Sequence, residues 1–149
     1  MKASARLLLV AGILSFTVAV FQAVVSLSPS WSLYFGAPAK LTANPLVLLV
    51  TGEITALFFV IFGLYAVSGA GAKSQLPLLR TILIVITGLY LLRGSLFFIQ
   101  LMAVNKLMHH GRTIPVQALL SSAVSLVIGI IYLVGTLGRW KYLNTSRRL

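Results

Sequence analysis

Glu53 is the only acidic side chain among 149 residues, and it sits inside a long apolar run. Arg93 sits inside another. Ionisable groups at membrane depth are costly, so they turn to a bundle interior or a cavity and take a partner. A Glu53–Arg93 ion pair is the first expectation. A lone carboxyl cannot share acid–base work with a second one. The chain has no cysteine, which excludes thiol catalysis, disulfides and cysteine metal sites. His109 and His110 are adjacent, beside Lys106 and Arg112, with no third ligand near them in sequence. Neighbouring positions point in different directions on a helix or strand, so this reads as a solvated pair rather than a metal site. Serines are plentiful, but no GxSxG turn is present, and both imidazoles lie in one loop away from them. Gly69-Ala70-Gly71 followed by Lys73 lacks the GxxxxGK[ST] spacing of a phosphate loop. No catalytic group, metal-ligand set or cofactor site is nominated.

The elements that carry Glu53 and Arg93 follow from composition. Apolar residues make up 59% and charged residues 9%, against about 25% charged in soluble domains. The net charge of +11 does not indicate nucleic acid, because the basic residues stand singly between apolar runs. Crossing the hydrocarbon core takes about 20 apolar residues as a helix, and segments near 7–27, 45–68, 78–104 and 116–137 qualify. They are too long and too continuously apolar for the alternating strands of a membrane barrel. The fold class expected is all-α, a polytopic membrane protein with a four-transmembrane-helix bundle forming one membrane domain over 1–149. The first run is longer than a signal-peptide core, so an uncleaved helix is expected.

The breaks carry turn chemistry. Asn44-Pro45 reads as an N-cap and first-turn proline. Gly69 and Gly71 can end the second span. Pro77 opens the third, and Thr113 and Pro115 the fourth. In the 28–44 loop, Ser28-Pro29 can cap a short interfacial helix ending at Gly36, with Trp31, Tyr34 and Phe35 at headgroup level. Lys2, Arg6, Lys73, Arg80, Arg139, Lys141, Arg147 and Arg148 fall on one side of the membrane, and Lys40, Lys106 and Arg112 on the other. The richer side, with both termini, is expected in the cytoplasm. Trp140 and Tyr142 suit that interface.

With this orientation Glu53 lies about 6 Å, and Arg93 about 3 Å, to the outer side of the helix midpoints. Gln22 on the first helix and Ser121 and Ser122 on the fourth complete a polar layer at that depth. Stripes of small residues (Ser15, Ala19, Gln22, Ser26; Gly52, Ala56, Gly63; Ser121, Ser125, Gly129) allow close helix approach and are expected to face inward. Two roles for the layer stay open: a clamp that fixes helix register, or a polar cavity open to the outer side. Tyr65, Tyr90 and Tyr132 lie in the spans, where packing is the expected role and lining a cavity the alternative.

Gly63-Leu-Tyr-Ala-Val-Ser-Gly-Ala-Gly71, Leu76-Pro-Leu-Leu-Arg80 and Tyr90-Leu-Leu-Arg-Gly94 resemble a group of bacterial four-helix membrane proteins, over about a fifth of the chain. The resemblance implies a bacterial inner-membrane bundle and no particular activity. Two functions are expected from different classes. The first is a non-enzymatic subunit or accessory of a membrane assembly, whose partners are the lipid bilayer and a membrane protein or a second copy of the chain. The second is a small transporter or ligand-binding protein with its cavity around Glu53 and Arg93. An anionic ligand drawn to Arg93 requires that Glu53 not neutralise it. No cofactor or nucleic acid is expected in either.

Overall fold

The computed structural model describes residues 3–72, 76–108 and 116–145; of residues 104–108 and 144–145 it describes the backbone alone. Lys2, Lys73, His109, His110, Arg112, Thr113, Pro115, Arg147 and Arg148 lie outside the described residues, as do the side chains of Asn105 and Lys106. The described residues form seven helices and their connecting turns: α1 (Ala3–Ser26), α2 (Pro29–Tyr34), α3 (Ala39–Thr42), α4 (Pro45–Gly69), α5 (Leu79–Met108), α6 (Val116–Gly138) and α7 (Trp140–Thr145). Four of them, α1, α4, α5 and α6, are long and apolar enough to cross a membrane.

The helix boundaries follow local chemistry. The Asn44 side chain accepts hydrogen bonds from the N–H groups of Leu46 and Val47 at 3.1 and 3.3 Å, so it caps α4, and Pro45 occupies the first turn where no donor is missed. Ser28 caps α2 in the same way, ahead of Pro29. Gly36 and Gly71 adopt φ of 94° and 78°, which a residue without Cβ tolerates at a helix exit. Three boundaries differ from the sequence expectation. The 28–44 loop holds two short helices, because Pro38 restarts the chain after the Gly36 turn. Pro77 precedes α5 by a turn rather than opening it, and Leu78 takes a positive φ of 54° there. The sixth helix is followed by α7, which buries Leu143 against the bundle.

α1 pairs closely with α4, and α5 with α6. A Cβ on Gly52 would fall 2.1 Å from the Ser26 Cβ, and one on Gly94 would fall 2.5 Å from the Leu126 Cα. Both glycines let backbones approach where a methyl would not fit. The two pairs join toward the end that carries the termini. There Gly135 packs on Leu8, Gly138 on Ser4 and Gly69 on Leu83, and Phe59 and Phe62 meet Tyr90. The common core of Leu8, Ala66, Leu79, Leu83, Ile86 and Tyr132 lies in that half. Toward the far end, buried residues belong to seams within pairs: Ala19, Ser26 and Gly52 between α1 and α4, and Gly94 and Ser122 between α5 and α6.

Basic residues at the terminal end rest on aromatic rings. The Arg80 guanidinium lies 3.7 Å from the centroid of Trp140, and that of Arg139 lies 3.9 Å from the centroid of Tyr142. These are the pairings expected where amphipathic rings meet a membrane surface.

Candidate functional site

The lower limit of the far half is set by a hydrogen-bonded clasp to which all four long helices contribute. Ser15 Oγ of α1 lies 3.2 Å from the Tyr90 hydroxyl of α5 and 2.9 Å from the Tyr132 hydroxyl of α6. Tyr132 donates to the carbonyl of Phe62 on α4 at 3.0 Å. Each hydroxyl has one proton. With the Tyr132 proton on Phe62, Ser15 must donate to Tyr132 and accept from Tyr90. The order is therefore Tyr90 to Ser15 to Tyr132 to the Phe62 carbonyl, with every proton used once. The two tyrosine rings stack at 5.5 Å, 18° from parallel. Sequence reasoning gave these tyrosines a packing role and missed the clasp. The available signal was that three hydroxyls sit near mid-span on three different helices.

Above the clasp the expected polar layer does not form as one cluster. Glu53 accepts a hydrogen bond of 3.1 Å from Ser26 on α1. The same hydroxyl lies 2.8 Å from the Ala23 carbonyl, so its single proton is shared. Arg93 instead reaches Ser121 on α6, at 3.5 Å, the long limit of a hydrogen bond. Both Glu53 and Arg93 are exposed on the surface of the single chain, and among the described residues no ion pair joins them. The reason is azimuth. Nine residues separate Glu53 from Phe62, about 900° of helix rotation, which leaves the two half a turn apart. Since Phe62 faces α5, Glu53 faces away from it.

Depth does agree with expectation. Phe59 and Tyr90 are neighbours, 6.2 Å between centroids. Glu53 lies six residues, about 9 Å, from that level toward the far end, and Arg93 three residues, about 4.5 Å. The difference is within the reach of an arginine side chain.

The other layer members separate as well. Ser122 is fully buried, and its Oγ has no hydrogen-bond partner among the described residues. It shares the stripe of Leu126 and Gly129, which packs on Gly94 and Leu91 of α5. Ser121 returns its proton to the Ala118 carbonyl at 3.0 Å while approaching Arg93. Gln22 lines a recess of about 180 Å³ under the α2–α3 segment, with Ser32, Thr51 and Thr55 as further polar wall. The recess belongs to the α1–α4 pair, and neither Glu53 nor Arg93 lines it. A cavity around those two charges is therefore replaced by two separate features: a polar recess at Gln22, and two exposed charges on different helix pairs. No group of three or more His, Cys, Asp or Glu able to hold a metal ion occurs among the described residues.

Compared with protein-family models, with curated proteins and with solved structures, the chain matches none.

Proposed function

We propose that this chain is a non-enzymatic multi-pass protein of the bacterial inner membrane, with both termini in the cytoplasm, that works as a subunit or accessory of a membrane assembly. The observation that carries this reading is Glu53. It lies eight residues, about 12 Å, inside α4, on the lipid-facing side of the isolated chain, and is held by part of one serine hydrogen bond. An intramembrane carboxyl normally faces a bundle interior, a cavity or a counter-charge. A protein surface that covers Glu53 supplies such a setting, and a subunit interface is that surface. The eight-to-three distribution of basic residues supports the orientation.

The test is the mass of the particle extracted with its surrounding lipid and examined by native mass spectrometry. The expected species is heavier than one 16.1 kDa chain. A lone chain with bound lipid overturns the reading.

A second reading rests on the recess. Gln22, Thr51 and Thr55 offer amide and hydroxyl groups without charge beside the apolar Val25 and Leu48. Such a wall suits a small uncharged amphipathic ligand rather than an anion. Bound small molecules identified in the same spectra, and lost in Gln22→Leu, support it. Spectra unchanged by Gln22→Leu remove it.

A further inference from the structure

We infer that the partner covering Glu53 is a second copy of this chain, with the Glu53 carboxyl of one copy seated on the Arg93 guanidinium of the next. The inference rests on the assembly reading above and names its partner. Three observations carry it. Glu53 is the chain's only acidic side chain, so in an assembly of copies it is the one side-chain carboxyl that an arginine can meet. Arg93 is exposed and, among the described residues, engaged only by a long hydrogen bond to Ser121. The two groups lie at nearly one depth, yet on helix faces that cannot meet within a chain.

Equal depth is the condition that copies sharing one membrane orientation must satisfy. One copy offers Glu53 beside the α1–α4 seam, and the next offers Arg93 from the α5–α6 pair. Such an interface joins unlike helix pairs of neighbouring copies, and where the rotation between copies closes, its axis runs along the membrane normal. Lys40 is a poorer answer to Glu53. It lies in α3, before α4 begins, so it is separated in height from a residue about 12 Å inside that helix. Arg93 remains reachable because its side chain is exposed on the surface of the chain.

The chain has no cysteine of its own, so introduced thiols report cleanly. Leu57 and Leu89 are exposed, and each lies four residues from its charge toward the terminal end, so the charges can stay in place. Leu57→Cys and Leu89→Cys chains with different tags are co-expressed in full-length form and oxidised in the membrane. The expected product is a disulfide-linked pair carrying both tags. It should fall at least tenfold when Glu53→Gln is added to the Leu57→Cys chain. It should return when Glu53→Arg in that chain is combined with Arg93→Glu in the other. No mixed-tag product overturns the inference, and the particle mass then separates the causes. A single chain removes the assembly reading too. A particle containing a different protein keeps the assembly reading and rejects self-association. A particle of copies without this cross-link rejects the Glu53–Arg93 contact.

Discussion

Tyr90 and Tyr132 stack ring on ring at 5.5 Å, and both hydroxyls meet one atom, Ser15 Oγ. Through Tyr132 and the Phe62 carbonyl this contact ties all four spans at one level. Hydrogen bonds between transmembrane helices contribute about 0.6 kcal/mol on average, up to about 1.7. Ser15→Ala removes two of them and should cost about 1–2 kcal/mol. Tyr132→Phe, which breaks an accepted and a donated bond, should cost more than Tyr90→Phe, which breaks one. Reversible unfolding in mixed micelles checks the order. Equal losses for the two tyrosine variants would refute the proton assignment.

Close approach within the helix pairs gives a second contrast. Gly94→Ala places a methyl against the Leu126 backbone, which must move as a whole, and should cost about 1–3 kcal/mol. Gly88 lies on the same helix, where among the described residues nothing comes within 4 Å of where a Cβ would sit. Gly88→Ala should be neutral or gain up to about 1 kcal/mol from helix propensity. The two variants, unfolded side by side, should differ in sign or by at least the steric term.

Ser122 is buried in the α5–α6 seam, with no partner for its hydroxyl among the described residues. Removing a buried group that makes no hydrogen bond relieves its desolvation cost, about 1–3 kcal/mol. Ser122→Ala should therefore stabilise the chain by about 1 kcal/mol. A loss of stability in the same unfolding measurement would mean that the hydroxyl has a partner in the membrane.

The four spans were legible because each is a long, continuous apolar run. Asn44 and Ser28 behave as their positions dictate. Depth was legible too: counting residues along the runs 45–68 and 78–104 places Glu53 and Arg93 within a few ångströms of one level. Azimuth was not. Uniformly apolar helices carry little information about which side faces which neighbour, since Leu, Ile and Val serve equally against protein and lipid. The stripe of Gly52, Ala56 and Gly63 is expected to face inward, and Gly52 and Gly63 do so, against Ser26 and Phe16 of α1. It left open which side of α4 would meet α5, and that choice separates Glu53 from Arg93. The clasp escaped notice for a related reason: a tyrosine in an apolar run looks the same whether its hydroxyl is shared with a serine or left at an interface.

The most direct measurement of the account uses two charge-reversed chains. Glu53→Arg and Arg93→Glu, expressed separately, should each fail to form the multi-chain particle. Co-expressed, they restore the contact between unlike neighbours, because each chain offers the charge that the other needs, and a multi-chain particle containing both chains should return. If the mixture stays at the mass of one chain while a chain carrying both substitutions behaves as the unmodified protein, the two charges pair within a chain, and the proposed interface is contradicted.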